Sequence, residues 1–332
     1  MSGIPRGRRT DELVKLVIDR WPDHAGYLAK SFQGRDPAVT AVSDELAGIV
    51  LTLGAHMEGG VGRLIDDYRF LCEEIVLPEQ LHFRRYRRYR LSSFEDAERE
   101  CYANAAFMDR YMNGLLVSDV VWSNHAHAFT AYVNEYLPRL PKGGRHLEIG
   151  PGHGVFLYFA ARDPNLGRVA GWDISPTSIA NTRAALTALG VDRPVELKLA
   201  NLFQVAADEA PGGFDGIVMS EILEHLEDPV AAMRAASRHL APGGLLWINV
   251  PANSPAPDHI YLVDGIDHAR ALVAEAGLEI VDSRAFPMSG ATLEEAVQRK
   301  LTVSCVVLGR KAPEPGLLNQ EARILEVSEH GA

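Results

Sequence analysis

The chain has 332 residues, 47% hydrophobic and 23% charged, which is enough apolar mass for one large core or two ordinary ones. A formal net charge of −11 at pH 7 argues against a protein whose main task is gripping nucleic acid. Cys72, Cys101 and Cys305 have neither disulfide nor metal-ligand spacing, the start has no apolar run of signal-peptide type, and no stretch approaches the roughly 18 apolar residues that span a bilayer. A cytoplasmic setting without a membrane partner is the expectation.

Residues 1–140 read as a mostly helical region. Leu13, Leu16, Val17 and Trp21 form one stripe at helical spacing, ended by Pro22. Val39, Val42, Leu46, Ile49, Val50 and Leu53 form a second, closed by Gly54. A third runs from Arg63 to Ile75, and residues 96–116 and 118–137 complete the region before Pro138. Between them, Arg84-Arg85-Tyr86-Arg87-Arg88-Tyr89-Arg90 carries five arginines, which Glu95, Asp96, Glu98 and Glu100 are placed to neutralise. An interface or structural role is favoured there over an anion or carrier-protein site. Phe107, Met108, Tyr111, Met112, Leu115 and Leu116 form an aromatic and thioether face that we read as core rather than pocket wall.

From residue 141 the pattern changes. Strands expected at 145–149, 168–173, 195–200, 214–220 and 244–250 alternate with helices at about 154–162, 175–189 and 228–240, the signature of a parallel sheet covered on both faces. A helix at 265–276, strands at 278–286 and 301–310 and a short helix at 291–299 follow, so this unit spans 141–311. The polar tail at 312–332 is expected to be loosely docked.

The chemistry concentrates at strand ends. Glu148-Ile149-Gly150-Pro151-Gly152-His153-Gly154 reads as a strand end, a glycine turn and a helix start, where backbone comes close to a ligand. Glu148 can accept hydrogen bonds from a ligand ammonium group. Asp173, followed by Ile174, ends the second strand and is placed to accept both ribose hydroxyls of a nucleoside. A dinucleotide site wants its third glycine one place later, at Val155; the spacing here suits a nucleoside with an amino-acid end and no phosphate.

Glu148 to Gly154, Asp173 and Ser220-Glu221-Ile222-Leu223-Glu224-His225 together resemble class I S-adenosylmethionine-dependent methyltransferases, most closely the quinone-biosynthesis and small-molecule natural-product branch. The resemblance implies an α/β, Rossmann-like seven-stranded sheet with the last strand inserted antiparallel, S-adenosyl-L-methionine as cofactor and a small-molecule substrate. It implies that Gly150, Gly152, His153 and Gly154 line the methionine end, that Asp173 and Ile174 hold the ribose, and that Asn201 and Leu202 flank adenine. Ser220 and Glu221 would contact the cofactor, Glu221 to His225 would bridge the cofactor and substrate sites, and the N-terminal helices would form a lid and a dimer surface. The branch often has an acidic residue where this chain has Asn201, whose side-chain oxygen can still accept.

Methyl transfer to oxygen or an acidic carbon needs a positioned nucleophile and commonly a base. His225 after the fourth strand, His259 in the proline-rich loop after the fifth, and His125 ahead of the sheet are the candidates. His125 and His127 lean to different helix faces, so at most one should reach a pocket. No metal is assigned; a metal centre would need two or three of these histidines to converge with an acid, which spacing alone leaves open. The alternatives are a substrate tethered to a carrier protein, a non-catalytic nucleoside-binding regulatory module and a nicotinamide oxidoreductase.

Overall fold

In the computed structural model, which describes residues 7–206 and 211–313, the strands are β1 (Gly144–Ile149), β2 (Leu166–Asp173), β3 (Glu196–Leu199), β4 (Phe214–Ser220), β5 (Leu240–Ala252), β6 (Glu279–Pro287) and β7 (Val303–Arg310). They form one sheet in the order β3-β2-β1-β4-β5-β7-β6. The first five pair in parallel, and β7 runs antiparallel between β5 and β6, the arrangement the resemblance implied. Leu147, Val169, Ala170, Ile217, Val218, Leu246 and Ile248 are buried whichever face they point to, as strands covered on both sides require. The chain moves outward from β1 in one direction to β3 and then returns to start β4 on the other side. That reversal opens a crevice at the carboxyl ends of β1 and β4, where open α/β sheets bind ligands.

Helices α9 (Val155–Arg162), α10 (Pro176–Ala188), α11 (Pro229–Arg238), α12 (Ile266–Glu275) and α13 (Leu293–Arg299) fill the crossovers. Their starts carry local signals. Ser175 and Asp228 accept the backbone N–H of Ser178 and Ala231, each with proline in the first turn, and Thr292 with Glu295 makes a reciprocal capping box.

The N-terminal helices are α1 (Arg8–Arg20), α2 (Ala25–Phe32), α3 (Pro37–Ala55), α4 (Gly60–Phe70), α5 (Leu77–Tyr86), α6 (Phe94–Ala97), α7 (Ala105–Val121) and α8 (Ser123–Ala131). Three differ from expectation. The short α2, too brief for a readable stripe, was not expected. The third stripe does not stop at Ile75: wider turns over Leu71–Val76 carry α4 into α5, which relieves the clash and missing donor of Pro78. The break placed at 117 falls instead at Asn104, whose side chain caps Phe107, and at Trp122, whose extended backbone ends α7. In addition, α3 is long and apolar enough, at a mean hydropathy of 1.4, to cross a bilayer by length and composition, against expectation. Its Val42, Leu46, Ile49 and Val50 lie in the core.

Those helices share one core with the sheet. Phe129 stacks on Phe156 at 4.1 Å, and Tyr132 meets Trp247 edge-on at 5.6 Å. The helical layer therefore closes directly over the crevice. Of the expected tail, residues from 314 onward lie outside the described residues.

Candidate active site

Between β1 and α9 the backbone bends through three left-handed glycines, Gly150 at φ 68°, Gly152 at φ 51° and Gly154 at φ 75°. A Cβ on Gly150 would run into Ile222 Cδ1. Thr182 of α10 donates from Oγ1 to Gly152 O at 2.9 Å, fixing the turn from below, and His153 donates from Nε2 to Met112 O at 2.7 Å, fixing it to α7. His153 is therefore a clamp, with that nitrogen already spent.

Glu148 is buried, and burial pushes its carboxyl well above the usual carboxylate range. One of its oxygens, Oε2, has no hydrogen-bond partner among the described residues. Asp173 accepts the Ser175 N–H at 2.8 Å on one oxygen and the Ser178 hydroxyl at 2.5 Å on the other. Each oxygen keeps a second lone pair. Beside it, Ile174 and Phe203 are 59% and 51% exposed, a large apolar surface to leave uncovered. Asn201 already accepts the Phe203 N–H at 3.0 Å.

These groups face a cavity of about 1550 Å³, more than the roughly 300–1,000 Å³ that one small molecule needs. Its far wall is Leu64 of α4, Met108, Met112 and Leu116 of α7, and Trp122 and Phe129. The face read as core from the sequence is both core and pocket wall: Tyr111 and Leu116 are buried in the core with Phe107, Met108 and Leu115 packed against it, and all but Phe107 also line the cavity, with Met112. Every expected site residue lines this cavity except Gly154, which starts α9. His127 lies in a different pocket.

The loops after β4 and β5 meet at one end of the cavity. Ile260 and Tyr261 donate their backbone N–H groups to Glu224 O at 2.9 and 3.0 Å, zipping the loops together. Glu224 is wholly buried, yet neither carboxyl oxygen has a hydrogen-bond partner among the described residues. Burial and then the charge of Glu221 raise its carboxyl well above the usual range. Nδ1 of His225 donates to Asp258 O at 3.1 Å and Nδ1 of His259 to Ser254 O at 2.6 Å. The Nε2 atoms of the two rings lie 3.7 and 4.0 Å from Glu224 Oε1. Burial, then His225, pull His259 down to about 4.

Around this cluster, the Asp258 carboxylate accepts the hydroxyls of Tyr111 and Tyr102 at 3.2 and 3.3 Å. Glu221 sits in the left-handed region at φ 52°, costing about 1–3 kcal/mol, and takes the Asn249 amide at 2.8 Å. His125 lies 3.3 Å from both Asp119 and Ser118. Burial lowers His125, but the Asp119 hydrogen bond and the charge of Glu221 outweigh it and leave the imidazole raised.

A sequence profile of the methyltransferase domain matches residues 121–299, more than half of the chain. The chain belongs to the class I S-adenosylmethionine-dependent methyltransferases. Among curated proteins, this methyltransferase is 34% identical over 149 residues to the ubiquinone biosynthesis O-methyltransferase of Xanthomonas axonopodis pv. citri, covering 44% of this chain and 60% of that one. It is 33% identical over 131 residues to the same enzyme of Xanthomonas campestris pv. campestris, covering 39% and 52%. It thus spans about half to three fifths of the length of these relatives. An O-methyltransferase family protein from Burkholderia thailandensis shares the fold at a TM-score of 0.50 and 16% identity, over 92% of this chain and 95% of that one.

The methyltransferase's own residues fit S-adenosylmethionine. The orphaned Glu148 oxygen and the three bare glycines suit its charged amino-acid end, and the uncovered faces of Ile174 and Phe203 suit its adenine. Asp258, Tyr102, Asn249 and Asp119 were not singled out from sequence, and Glu224 and Tyr111 were read only as members of the post-strand motif and of the aromatic face. For Tyr102 no local signal exists in the sequence.

Proposed function

We propose that this methyltransferase methylates an oxygen of a small, largely apolar metabolite. The observation that carries the reading is the single cavity, apolar where the N-terminal helices wall it and ending in the Glu221, Glu224, His225 and His259 cluster beside the glycine turn. The relatives named as O-methyltransferases support oxygen as the acceptor.

Gly150 and Gly152 with Glu148 hold the methionine end of the cofactor, Asp173 the ribose, and Ile174, Asn201, Leu202 and Phe203 the adenine. When bound, S-adenosylmethionine supplies an electrophilic methyl group on its sulfonium sulfur. His225 and His259 hold the acceptor group, and His125, oriented by Asp119, takes its proton; a positioned base of this kind contributes about 10²–10⁴-fold. The apolar wall excludes water and orients the substrate.

The test is incubation of the full chain with S-adenosylmethionine and a panel of hydroxylated apolar metabolites. Release of S-adenosylhomocysteine together with an O-methylated product is expected. Calorimetric binding of NADH but not of S-adenosylhomocysteine would overturn the reading.

A second reading tethers the substrate to an acidic carrier protein. Arg84, Arg85, Arg87 and Arg88 are exposed at the end of α5, whose Gln80 lines the cavity. Two of the acids expected to neutralise them, Asp96 and Glu100, pair with Arg99 instead. Reversing the charge of Arg84, Arg85 and Arg88 would then lower kcat/KM for the tethered substrate and leave the free one unchanged.

A further inference from the structure

We propose that His24 and Tyr27, where the cavity runs beneath the N-terminal helices, form a second recognition subsite for the substrate. It takes an uncharged hydroxyl that lies across the substrate's apolar body from the hydroxyl to be methylated. The subsite rests on local geometry, and the fate of the other hydroxyl rests on the O-methyltransferase reading.

At about 1550 Å³ the cavity holds more than the cofactor alone, and beneath these helices it is lined by His24, Tyr27, Leu53, Met57, Leu64 and Trp122. None of the six carries a charge at neutral pH. Burial takes His24 down to about 4 against the opposing charge of Glu73, so its ring is a neutral imidazole. Among the described residues no lysine or arginine lines the cavity, so a carboxylate or phosphate would enter without a counter-ion.

One edge of His24 is left for a ligand. The ring stacks on Trp21 at 3.8 Å and on Tyr27 at 4.7 Å, which leaves its edge for polar contacts. Nε2 lies 2.9 Å from the hydroxyl of Tyr68, which is wholly buried. Nδ1 has no hydrogen-bond partner among the described residues, although His24 lines the cavity. A neutral imidazole donates from one nitrogen and accepts at the other. Whichever way the Tyr68 bond runs, Nδ1 keeps one hydrogen bond to make. A hydroxyl both donates and accepts, so it completes that bond in either tautomer.

The subsite is joined to the candidate base. The Tyr68 hydroxyl also accepts the Trp122 indole N–H at 3.1 Å, and the Trp122 ring stands edge-on to His125 at 5.0 Å. Asp119 in turn lies 3.3 Å from His125. His24 and His125 therefore belong to one packed assembly, with Tyr68 as a positioning residue that fixes the span between the two substrate hydroxyls. His24, Tyr27 and Tyr68 precede residues 121–299, which match the methyltransferase domain, so this selection belongs to the N-terminal helices.

The test titrates the full chain near neutral pH, with and without S-adenosylhomocysteine, in a calorimeter. The probes are 2-naphthol, 2,6-dihydroxynaphthalene and 6-hydroxy-2-naphthoate. Beyond the twofold advantage of two equivalent hydroxyls, one hydrogen bond should make the diol bind about three- to tenfold more tightly than 2-naphthol. The carboxylate should bind more weakly than either. His24→Phe keeps a flat ring for the stack and removes both nitrogens. The diol's advantage should then fall to about twofold, with 2-naphthol and S-adenosylhomocysteine affinities close to those of the parent. Tyr68→Phe takes away the hydroxyl that holds the His24 edge and should shrink the advantage as well. An advantage retained in His24→Phe, tighter binding of the carboxylate, or no binding of any of the probes by the parent would overturn the subsite. Where His24→Phe does not fold, an advantage retained in Tyr68→Phe overturns it equally. The expected selectivity in a chain that does not bind S-adenosylhomocysteine would support the subsite and sink the methyltransferase reading separately.

Discussion

His153 on the glycine turn donates to the backbone oxygen of Met112 at 2.7 Å, so the glycine bend is tied to α7, the helix that walls the cavity. Met108 and Leu116 line the cavity from the same helix. Losing one such hydrogen bond is worth about 0.5–1.5 kcal/mol. His153→Ala should therefore weaken S-adenosylhomocysteine binding about three- to tenfold and raise the substrate KM as well. Calorimetry and steady-state kinetics on the same preparation check this, and an unaltered cofactor affinity would show that the turn holds its shape without α7.

Asp173→Ala should cost cofactor binding about 1–3 kcal/mol, because it strands the ribose hydroxyls and frees the Ser175 N–H and the Ser178 hydroxyl as well. Those local bonds make the result ambiguous unless stability is followed too. Loss of affinity with a melting temperature within a few degrees of the parent assigns the effect to the ribose. Full affinity in the variant would remove Asp173 from the site.

Where the sequence was informative, the signal was local. The glycine turn, Glu148 and Asp173 sit at strand ends marked by short apolar runs, and such runs follow directly from burial on both faces of a parallel sheet. The order of β5, β7 and β6 was reached through resemblance, since nothing in periodicity says that β7 inserts between the others. The Glu224 and His259 convergence was out of reach for a related reason. The two residues lie on loops separated by α11 and β5, and only the pairing of β4 with β5 brings them together. Tyr102 and Tyr111 looked like ordinary helical aromatics; their hydroxyls acquire a role only when Asp258 arrives from the other side of the cavity. The face of α7 was read as core and is also cavity wall, because a cavity wall and a core use the same side chains.

His146 offers a pH test independent of catalysis. Burial lowers it to about 3, and its Nε2 faces the Tyr132 hydroxyl at 3.0 Å. A depressed folded-state value means the stabilisation is fully present above the unfolded value near 6.5 and is lost as pH falls toward 3, because the unfolded chain takes up the proton first. Buried Glu148 and Glu224, whose carboxyls are raised, act in the opposite sense, so the parent curve alone is uninformative. The difference between parent and His146→Gln isolates the group. Between pH 6 and 4 the variant should gain on the parent by up to about 1.4 kcal/mol per pH unit, read by urea unfolding at each pH. A constant difference would mean that His146 is already charged in the folded state.

His125 decides whether a histidine takes the acceptor's proton. Asp119 and Glu221 raise its value against the opposing pull of burial, so a larger fraction is protonated near neutrality than for a free imidazole. A base must be neutral to act. Turnover should therefore fall as the pH drops through that raised value and level off above it. His125→Gln keeps a polar side chain of similar size but cannot exchange a proton in this range. It should lower kcat by about 10²-fold or more, flatten the acid limb of the profile and leave S-adenosylhomocysteine affinity unchanged. A merely structural role would lower activity at every pH and keep the limb, because the titrating group would still be present. Retention of the limb in the variant would move the proton transfer away from His125.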